Sequence, residues 1–140
     1  NFLGPVNCLA ALQTQLEAGD RVVLVSSMAH WLPFPRAEAY GASKAALTWF
    51  ANSLRLDWEP KGVAVTVVSP GFVDTPLTRK NDFAMPGRVS VDRAVTAIRH
   101  GLTKGQNHIA FPTGFSLALR LLASLPSGIQ RLLLRRMVRS

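Results

Sequence analysis

The sequence predicts an α/β fold in which helices flank half of a doubly wound parallel sheet, and three observations carry this prediction. Two apolar runs, residues 21–27 and 63–69, lack the alternation of half-exposed strands, which indicates strands buried on both faces. A helical stripe of apolar residues separates them, as the crossover between two parallel strands requires. The remaining elements complete the order αβαβαβα, which is typical of a doubly wound sheet.

Turn and capping residues set the boundaries of the first elements. Residues 1–18 have apolar positions at helical spacing, and the Gly-Asp pair at 19–20 ends the pattern. The central helix is predicted from about residue 39 to residue 59, where the Pro-Lys-Gly segment at 60–62 stops it.

The following elements are shorter. Thr75-Pro76 predicts a helix start, because threonine caps helices and proline suits the first helical position. Residues 78–88 show no strong period and predict a loop or short helices. Ser90 caps a third predicted helix that Gly105 ends, and residues 107–111 follow as a strand.

Composition bounds the class of protein. At 48% hydrophobic and 17% charged, the 140 residues suit one folded domain and exclude a disordered chain. The single cysteine, Cys8, cannot form an internal disulfide and is expected to pack within the first helix. His30, His100 and His108 lack the spacing and acidic companions of metal ligands, so we predict surface or loop histidines and no metal site. No apolar run of about 18 residues occurs, and we expect a cytoplasmic protein.

Residues 113–140 carry most of the excess positive charge. The net charge is +8, and this segment holds five arginines and no acidic residue. Two apolar-basic helices, at 115–125 and 129–138, would suit an anionic membrane surface. The alternative is that their leucines pack in the core or a dimer while the arginine heads reach solvent. The sequence has no nucleic-acid recognition motif, so no nucleic-acid partner is predicted.

Tyr40 and Lys44 stand four residues apart in the central helix and therefore share one of its faces. The ammonium would lie near the phenol and favour its ionised form. Ser27 lies thirteen residues before Tyr40, at the end of the first strand, where open α/β sheets bind ligands. A phenol of this kind can act as an acid in carbonyl reduction and as a base in alcohol oxidation.

The segment Tyr40-Gly41-Ala42-Ser43-Lys44, of the form Y-x-x-x-K, and the earlier Ser26-Ser27 pair resemble the active site of the short-chain dehydrogenase/reductase family. The resemblance implies a Rossmann-like fold, with residues 1–112 as its C-terminal half and residues 113–140 as a helical tail of the same domain. In the family, the other half carries the Gly-rich turn that holds the pyrophosphate, and this sequence has no such cluster. Since position 1 is Asn rather than Met, we expect a piece that lacks its N-terminal cofactor-binding half.

The resemblance also implies roles for individual residues. Tyr40 would be the general acid and base, Ser27 would orient the substrate oxygen, and Lys44 would also bind the nicotinamide ribose. Asn1, which opens an Asn-x-x-Gly segment, would hold a water linked to Lys44 and complete the catalytic set. The remaining cofactor-binding residues follow the second strand, with Val73 acting through its backbone and Thr75 through its hydroxyl: Pro70, Gly71, Val73 and Thr75.

The implied function is an oxidoreductase that uses NAD or NADP, with NADP somewhat favoured, to interconvert an alcohol and a carbonyl. Residues 31–35 would border the substrate pocket. Their aromatic rings would suit an apolar substrate, and plain packing within the loop explains them equally well. A homo-oligomer is a further expectation, because the family's equivalent of the central helix often packs between subunits. The alternative is a truncated, non-catalytic fragment that acts as an interaction module or does not function alone.

Overall fold

The computed structural model describes residues 1–135 and contains a three-stranded parallel sheet in the order β1-β2-β3. The strands are β1 (Arg21–Val25), β2 (Ala64–Pro70) and β3 (His108–Phe111). Val23 of β1 pairs with Thr66, and Val68 of β2 pairs with Ile109. The parallel sheet between helices confirms the predicted α/β fold class.

Five α-helices surround the sheet in the described part of the chain: α1 (Leu3–Leu12), α2 (Glu38–Trp58), α3 (Val91–Thr103), α4 (Thr113–Ala123) and α5 (Ser127–Leu134). Ser90 caps α3 as predicted, because its side chain accepts a hydrogen bond from the Arg93 N–H. The last predicted helix was expected to reach residue 138, and residues 136–138 lie outside the described residues. None of the helices between residues 1 and 135 combines the length and the apolar character needed to cross a bilayer.

Three apolar clusters hold these elements together. The first joins α1 and α2 to one face of β1 and β2: Leu9, Leu24, Leu47, Ala51, Trp58, Val63, Val65 and Val67. The second joins α3 to the opposite face of β2 and to β3: Val68, Ala94, Ile109 and Phe111. The third packs the turn after β1 against α4 and α5: Met28, Leu32, Leu119 and Leu134. The third cluster therefore brings the chain's last helices to the carboxyl end of the sheet.

The prediction that β1 is buried on both faces is wrong. Val25 is 54% exposed and Val23 is also exposed, whereas Leu24 between them is buried. The helices α1 and α2 cover the Leu24 face, while α3 contacts β2 and β3. In the described part of the chain the other face of β1 is consequently uncovered, whereas β2 is buried along most of its length.

Cys8 also differs from its prediction, since its side chain is exposed rather than packed. The reason is that α1 contributes only Leu9 as a buried side chain, so most of the helix surface faces away from the sheet.

Phe2 contacts Phe50 of α2 edge-to-face, with ring centroids 6.1 Å apart, and fixes the start of α1.

Gly101 provides a test of how α3 packs on β3. A Cβ atom at this position would lie 2.5 Å from Cγ1 of Ile109, which a real side chain cannot tolerate. We predict that Gly101→Ala lowers the free energy of unfolding by on the order of 1–3 kcal/mol through overpacking. The matched control is Gly114→Ala in α4, where nothing lies within 4 Å. That substitution should leave stability unchanged or raise it by up to about 1 kcal/mol. Equal effects of the two changes in urea unfolding would contradict this packing.

Candidate active site

The predicted site residues collect at the carboxyl edge of the sheet. Ser27 follows β1, Pro70 ends β2, and Tyr40 and Lys44 lie in the first turns of α2. Because β1 and β2 are parallel and in register, their carboxyl ends meet at the same edge. This is the edge at which open α/β sheets bind their ligands.

The start of α2 approaches the turn after β1 very closely. Ser27 begins a short 3₁₀ turn, Met28–His30, and its Oγ accepts a hydrogen bond of 3.2 Å from the Ala29 N–H. A Cβ at Gly41 would lie 3.2 Å from the carbonyl oxygen of Ala29. A Cβ at position 41 would therefore require a shift of a few tenths of an ångström between α2 and the Ser27 turn.

Ser26 connects the same strand to α2. Its buried hydroxyl donates to the Lys44 carbonyl at 3.0 Å and shares a 2.7 Å hydrogen bond with Oγ1 of Thr48. Thr48 was not singled out from the sequence, although it lies one helical turn beyond Lys44. The pair fixes the rotation of α2 and therefore the direction in which Tyr40 and Lys44 face.

The Lys44 ammonium lies between the end of β1 and the Tyr40 ring. Its Nζ donates to the Val25 carbonyl at 2.9 Å and lies 5.9 Å from the centroid of the Tyr40 ring. Burial disfavours the charged form and so lowers the pKa of Lys44 below its ordinary value. Tyr40 itself is 44% exposed, so its phenol is open to a ligand.

Asn1 occupies a different environment from the other candidates. It is exposed and precedes α1, and among residues 1–135 no hydrogen bond joins its side chain to Lys44. The structure thus brings together Ser27, Tyr40 and Lys44 but does not link Asn1 to them. A catalytic role for Asn1 stays a prediction.

The loop after β2 passes beside the Ser27 turn. The Gly71 N–H donates to the Phe111 carbonyl at 2.8 Å, which continues the pairing with β3. A Cβ at Gly71 would lie 3.3 Å from Cδ of Pro112 and 3.4 Å from Sδ of Met28. The absence of a side chain at Gly71 therefore allows the Pro70-Gly71 loop to approach the turn that carries Ser27.

At the predicted helix start, Thr75 supplies the expected capping oxygen, but only a short 3₁₀ turn, Thr78–Lys80, follows it instead of an α-helix. The Thr75 N–H donates to Oγ1 of Thr78 at 2.9 Å, and the Thr78 N–H donates back to Oγ1 of Thr75 at 3.3 Å. The Thr78 hydroxyl also donates to the Val73 carbonyl at 2.6 Å. These bonds close a tight turn instead of an α-helix, and they make Thr78 the residue that shapes the Val73–Thr75 loop.

The prediction of surface or loop histidines is wrong for His108, which begins β3, whereas His30 does lie in the loop between β1 and α2. Both rings are half-buried beside the Ser27 turn. Their ring centroids lie 5.8 Å apart, and Trp31 contacts both rings at 5.0 and 5.9 Å. The guanidinium of Arg120 lies 5.3 Å from the centroid of the Trp31 ring. We refer to His30, Trp31 and His108 as the histidine stack. The pairing of β3 with β2 places His108 opposite Val67, and from there its ring contacts His30. No local sequence pattern near either histidine predicts this contact.

Both histidines of the stack hydrogen-bond to residues at the strand ends. Nδ1 of His30 bonds to the Ser27 carbonyl at 2.6 Å, and Nε2 of His108 bonds to Oγ of Ser69 at 2.8 Å. Burial lowers the pKa of His30 and, helped by nearby positive groups, lowers the pKa of His108 to about 4. Over residues 1–135, no cluster of three or more His, Cys, Asp or Glu side chains could hold a metal ion.

Comparison with known proteins places this geometry in a family context. The family model described as short chain dehydrogenase matches residues 1–85. An uncharacterized oxidoreductase of Myxococcus xanthus is 35% identical over 131 residues, covering 92% of this chain and 52% of that protein. The 11-beta-hydroxysteroid dehydrogenase A of Arachis hypogaea is 35% identical over 94 residues, and the match covers 66% of this chain and 27% of that dehydrogenase.

Solved structures share the fold. A short chain dehydrogenase from Burkholderia cenocepacia J2315, crystallised in complex with NADP, superposes with a TM-score of 0.82 at 22% identity. The match covers 95% of this chain and 55% of that one. The chain therefore spans about half the length, or less, of the relatives and structures described here.

The depressed pKa of His108 predicts a pH dependence of stability. A histidine whose pKa is lowered by folding contributes stability above its unfolded value of about 6.5, and this contribution is lost as the pH falls towards about 4. We predict that between pH 7 and pH 5 the unfolding free energy of wild type falls more than that of His108→Gln. The extra slope should stay below about 1.4 kcal/mol per pH unit, because solvent screens a half-buried group.

The control for this measurement is His100→Gln, since His100 is exposed on α3. Its unfolding free energy, measured by urea titration at each pH, should run parallel to that of wild type. A constant difference between wild type and His108→Gln across this pH range would show that folding does not depress the His108 titration.

Proposed function

The chain belongs to the short-chain dehydrogenase/reductase family, and from this premise we propose that it carries the catalytic residues of an NAD(P)-dependent oxidoreductase. The enzyme would interconvert an alcohol and a carbonyl by hydride transfer. One observation supports this choice above others: a serine hydroxyl, a phenol and an ammonium lie at one sheet edge, and Gly41 permits their approach. Hydroxyl, phenol and ammonium together can orient an oxygen and exchange a proton with it.

Tyr40 would act as the general acid in reduction and as the general base in oxidation. The Lys44 ammonium lies 5.9 Å from the centroid of the Tyr40 ring, and the Tyr40 hydroxyl is the group that would exchange a proton with the substrate oxygen in both directions. The Ser27 Oγ already accepts a hydrogen bond from Ala29, so its own proton is available to the substrate oxygen. Asn1 would complete the set through a water linked to Lys44.

The donors at this edge suit a nicotinamide ribose. Lys44 uses one of its three ammonium protons on Val25 and has two others for ribose hydroxyls, which Tyr40 would also contact. Pro70, Gly71, Val73 and Thr75 form the adjacent loop, where the Val73 N–H and the Thr75 hydroxyl would hold the carboxamide. When bound, the nicotinamide supplies or accepts the hydride. The B. cenocepacia structure in complex with NADP supports a dinucleotide and somewhat favours NADP.

The substrate would be bulky and apolar. The loop between Ser27 and Tyr40 contributes Trp31 and Phe34 to the cluster with α4 and α5. On the other side of the site, the rings of Phe72 and Phe83 contact edge-to-face with their centroids 6.0 Å apart. Arg36 joins the two sides through a 2.8 Å bond to Asp82. The name of the Arachis hypogaea relative, a hydroxysteroid dehydrogenase, supports this substrate class.

The proposal is tested by Tyr40→Phe in the full-length protein. The ring stays and only the exchangeable proton is lost, so kcat should fall by roughly 10²–10⁴-fold while NAD(P)H affinity stays near that of wild type. Turnover of a panel of hydroxysteroids and aromatic ketones, followed by NAD(P)H absorbance, measures the change. The control is Trp49→Phe, an exposed ring on the same helix, which should retain full activity. If Tyr40→Phe turns over within a few-fold of wild type, the assignment is wrong.

We further propose that the protein binds anionic membranes through α4 and α5. These helices expose apolar side chains, and Leu121 and Leu132 are each 62% exposed. Arg131 and Arg135 lie beside them, and residues 113–135 contain no acidic group. Each basic residue near such a surface contributes about 1 kcal/mol. Packing against a second copy of the chain is the competing explanation for the exposed leucines.

Vesicle binding separates these two explanations. The full-length protein should co-sediment with vesicles containing phosphatidylserine, bind pure phosphatidylcholine less, and be released as salt rises. The double variant Leu121→Ser/Leu132→Ser should lose this binding and keep its activity, while the control Leu56→Ser, on an exposed position of α2, should bind as wild type does. If the double variant instead dissociates an oligomer and wild type never binds vesicles, these helices form a protein interface.

A further inference from the structure

The histidine stack joins the two loops that form the candidate site. His30 lies in the 3₁₀ turn after β1, and His108 begins β3. Each ring bonds to the carboxyl end of a different strand: His30 to the Ser27 carbonyl and His108 to the Ser69 hydroxyl. Ser69 is fully buried and immediately precedes Pro70-Gly71. The contact between the two rings thus connects the Ser27 turn to the loop that would hold the cofactor.

The hydrogen bond of His30 determines its tautomer. A carbonyl oxygen only accepts hydrogen bonds, so the 2.6 Å contact requires the proton on Nδ1 of His30. The Ser27 carbonyl also accepts the His30 backbone N–H at 3.2 Å. Meanwhile the Ser27 side chain is held by the Ala29 N–H. One imidazole therefore fixes the peptide of the residue whose hydroxyl faces the substrate.

The charges around the stack favour neutral rings. The charged groups that act on the two imidazoles are Arg120 of α4 and Arg55 of α2, and both are positive. Arg55 is itself anchored by its bonds to the carbonyls of Val65 and Asn107. A proton added to either ring would place a positive charge beside the other ring and near these positively charged guanidinium groups. On His30 that proton would go to Nε2, so the Nδ1–H that bonds to the Ser27 carbonyl is present in either protonation state.

We propose that His30 is a positioning residue, which holds Ser27 in its reactive orientation through the Nδ1–H bond to the Ser27 carbonyl, with His108 supporting it. This inference rests on the proposed function, in which Ser27 orients the substrate oxygen. It assigns His30 an effect on kcat rather than on cofactor affinity, because the bond acts on the Ser27 peptide.

A pair of substitutions of similar size isolates the hydrogen bond. His30→Asn keeps an N–H near the Nδ1 position, whereas His30→Leu removes it. A displacement of about 1 Å can cost on the order of 10²-fold in rate, so kcat of His30→Leu should fall by at least about tenfold. His30→Asn should stay within about threefold of wild type and leave KM for the cofactor unchanged. His100→Leu, on the exposed face of α3, is the control.

A double-mutant cycle asks whether His30 acts through Ser27. In the Ser27→Ala background, His30→Leu should change kcat by less than about twofold, because the hydroxyl it positions is gone. Multiplicative losses would overturn the proposal, as would equal activities of His30→Leu and His100→Leu, or of His30→Leu and His30→Asn. If leucine prevents folding, His30→Gln replaces it, since its amide N–H lies near the Nε2 position instead.

Tyr40→Phe, assayed on the same substrate, separates this inference from the proposed function. Loss of turnover in Tyr40→Phe with full turnover in His30→Leu overturns the positioning role alone. Full turnover in both variants overturns the proposed function and the positioning role together. Loss in both, with His30→Asn active, supports both.

Discussion

The close approach of α2 to the carboxyl end of β1 is the constraint on which the candidate site depends. Gly41 faces the Ala29 carbonyl without a side chain, and Ser26 bonds to the backbone of the same helix one turn later. A methyl group added at position 41 would require α2 and this turn to separate by a few tenths of an ångström, because protein interiors have little spare volume. Gly41 therefore helps to set the distance between α2 and the turn that carries Ser27.

Buried polar side chains on and beside the strands form hydrogen bonds with neighbouring elements. The hydroxyls of Ser26 and Thr48 bond to each other, Thr66 donates to the Gln106 carbonyl, and Ser69 bonds to His108. Among the described residues, no buried side-chain nitrogen or oxygen lacks a hydrogen-bond partner. Each of these bonds crosses between elements, so it specifies the relative placement of β1, β2, β3 and α2 in a way that apolar packing alone would leave loose.

The parts of this structure that sequence could predict are those encoded by local patterns. The period of apolar residues located the helices and strands, and the four-residue spacing of Tyr40 and Lys44 placed them on one helix face. The predictions failed where contacts between distant segments of the chain determine which residues are buried. Val23 and Val25 look buried because their run is apolar, yet their exposure depends on which helices cover β1. Likewise, Thr75-Pro76 has the residues that typically begin a helix, but the hydrogen bonds of the Thr78 hydroxyl close a tighter turn there.

The histidine stack shows the same limit at the site itself. His30 and His108 are separated by most of the central part of the chain, and only the strand order β1-β2-β3 brings them into contact. In this position, His30 bonds to Ser27, whose conformational freedom is already small. The Ser27 oxygen is held by one peptide N–H and its carbonyl by an imidazole, so the hydroxyl proton is the part left free to turn. A donor restrained in this way needs little reorganisation as charge develops on a substrate oxygen, which is the physical basis of electrostatic preorganisation.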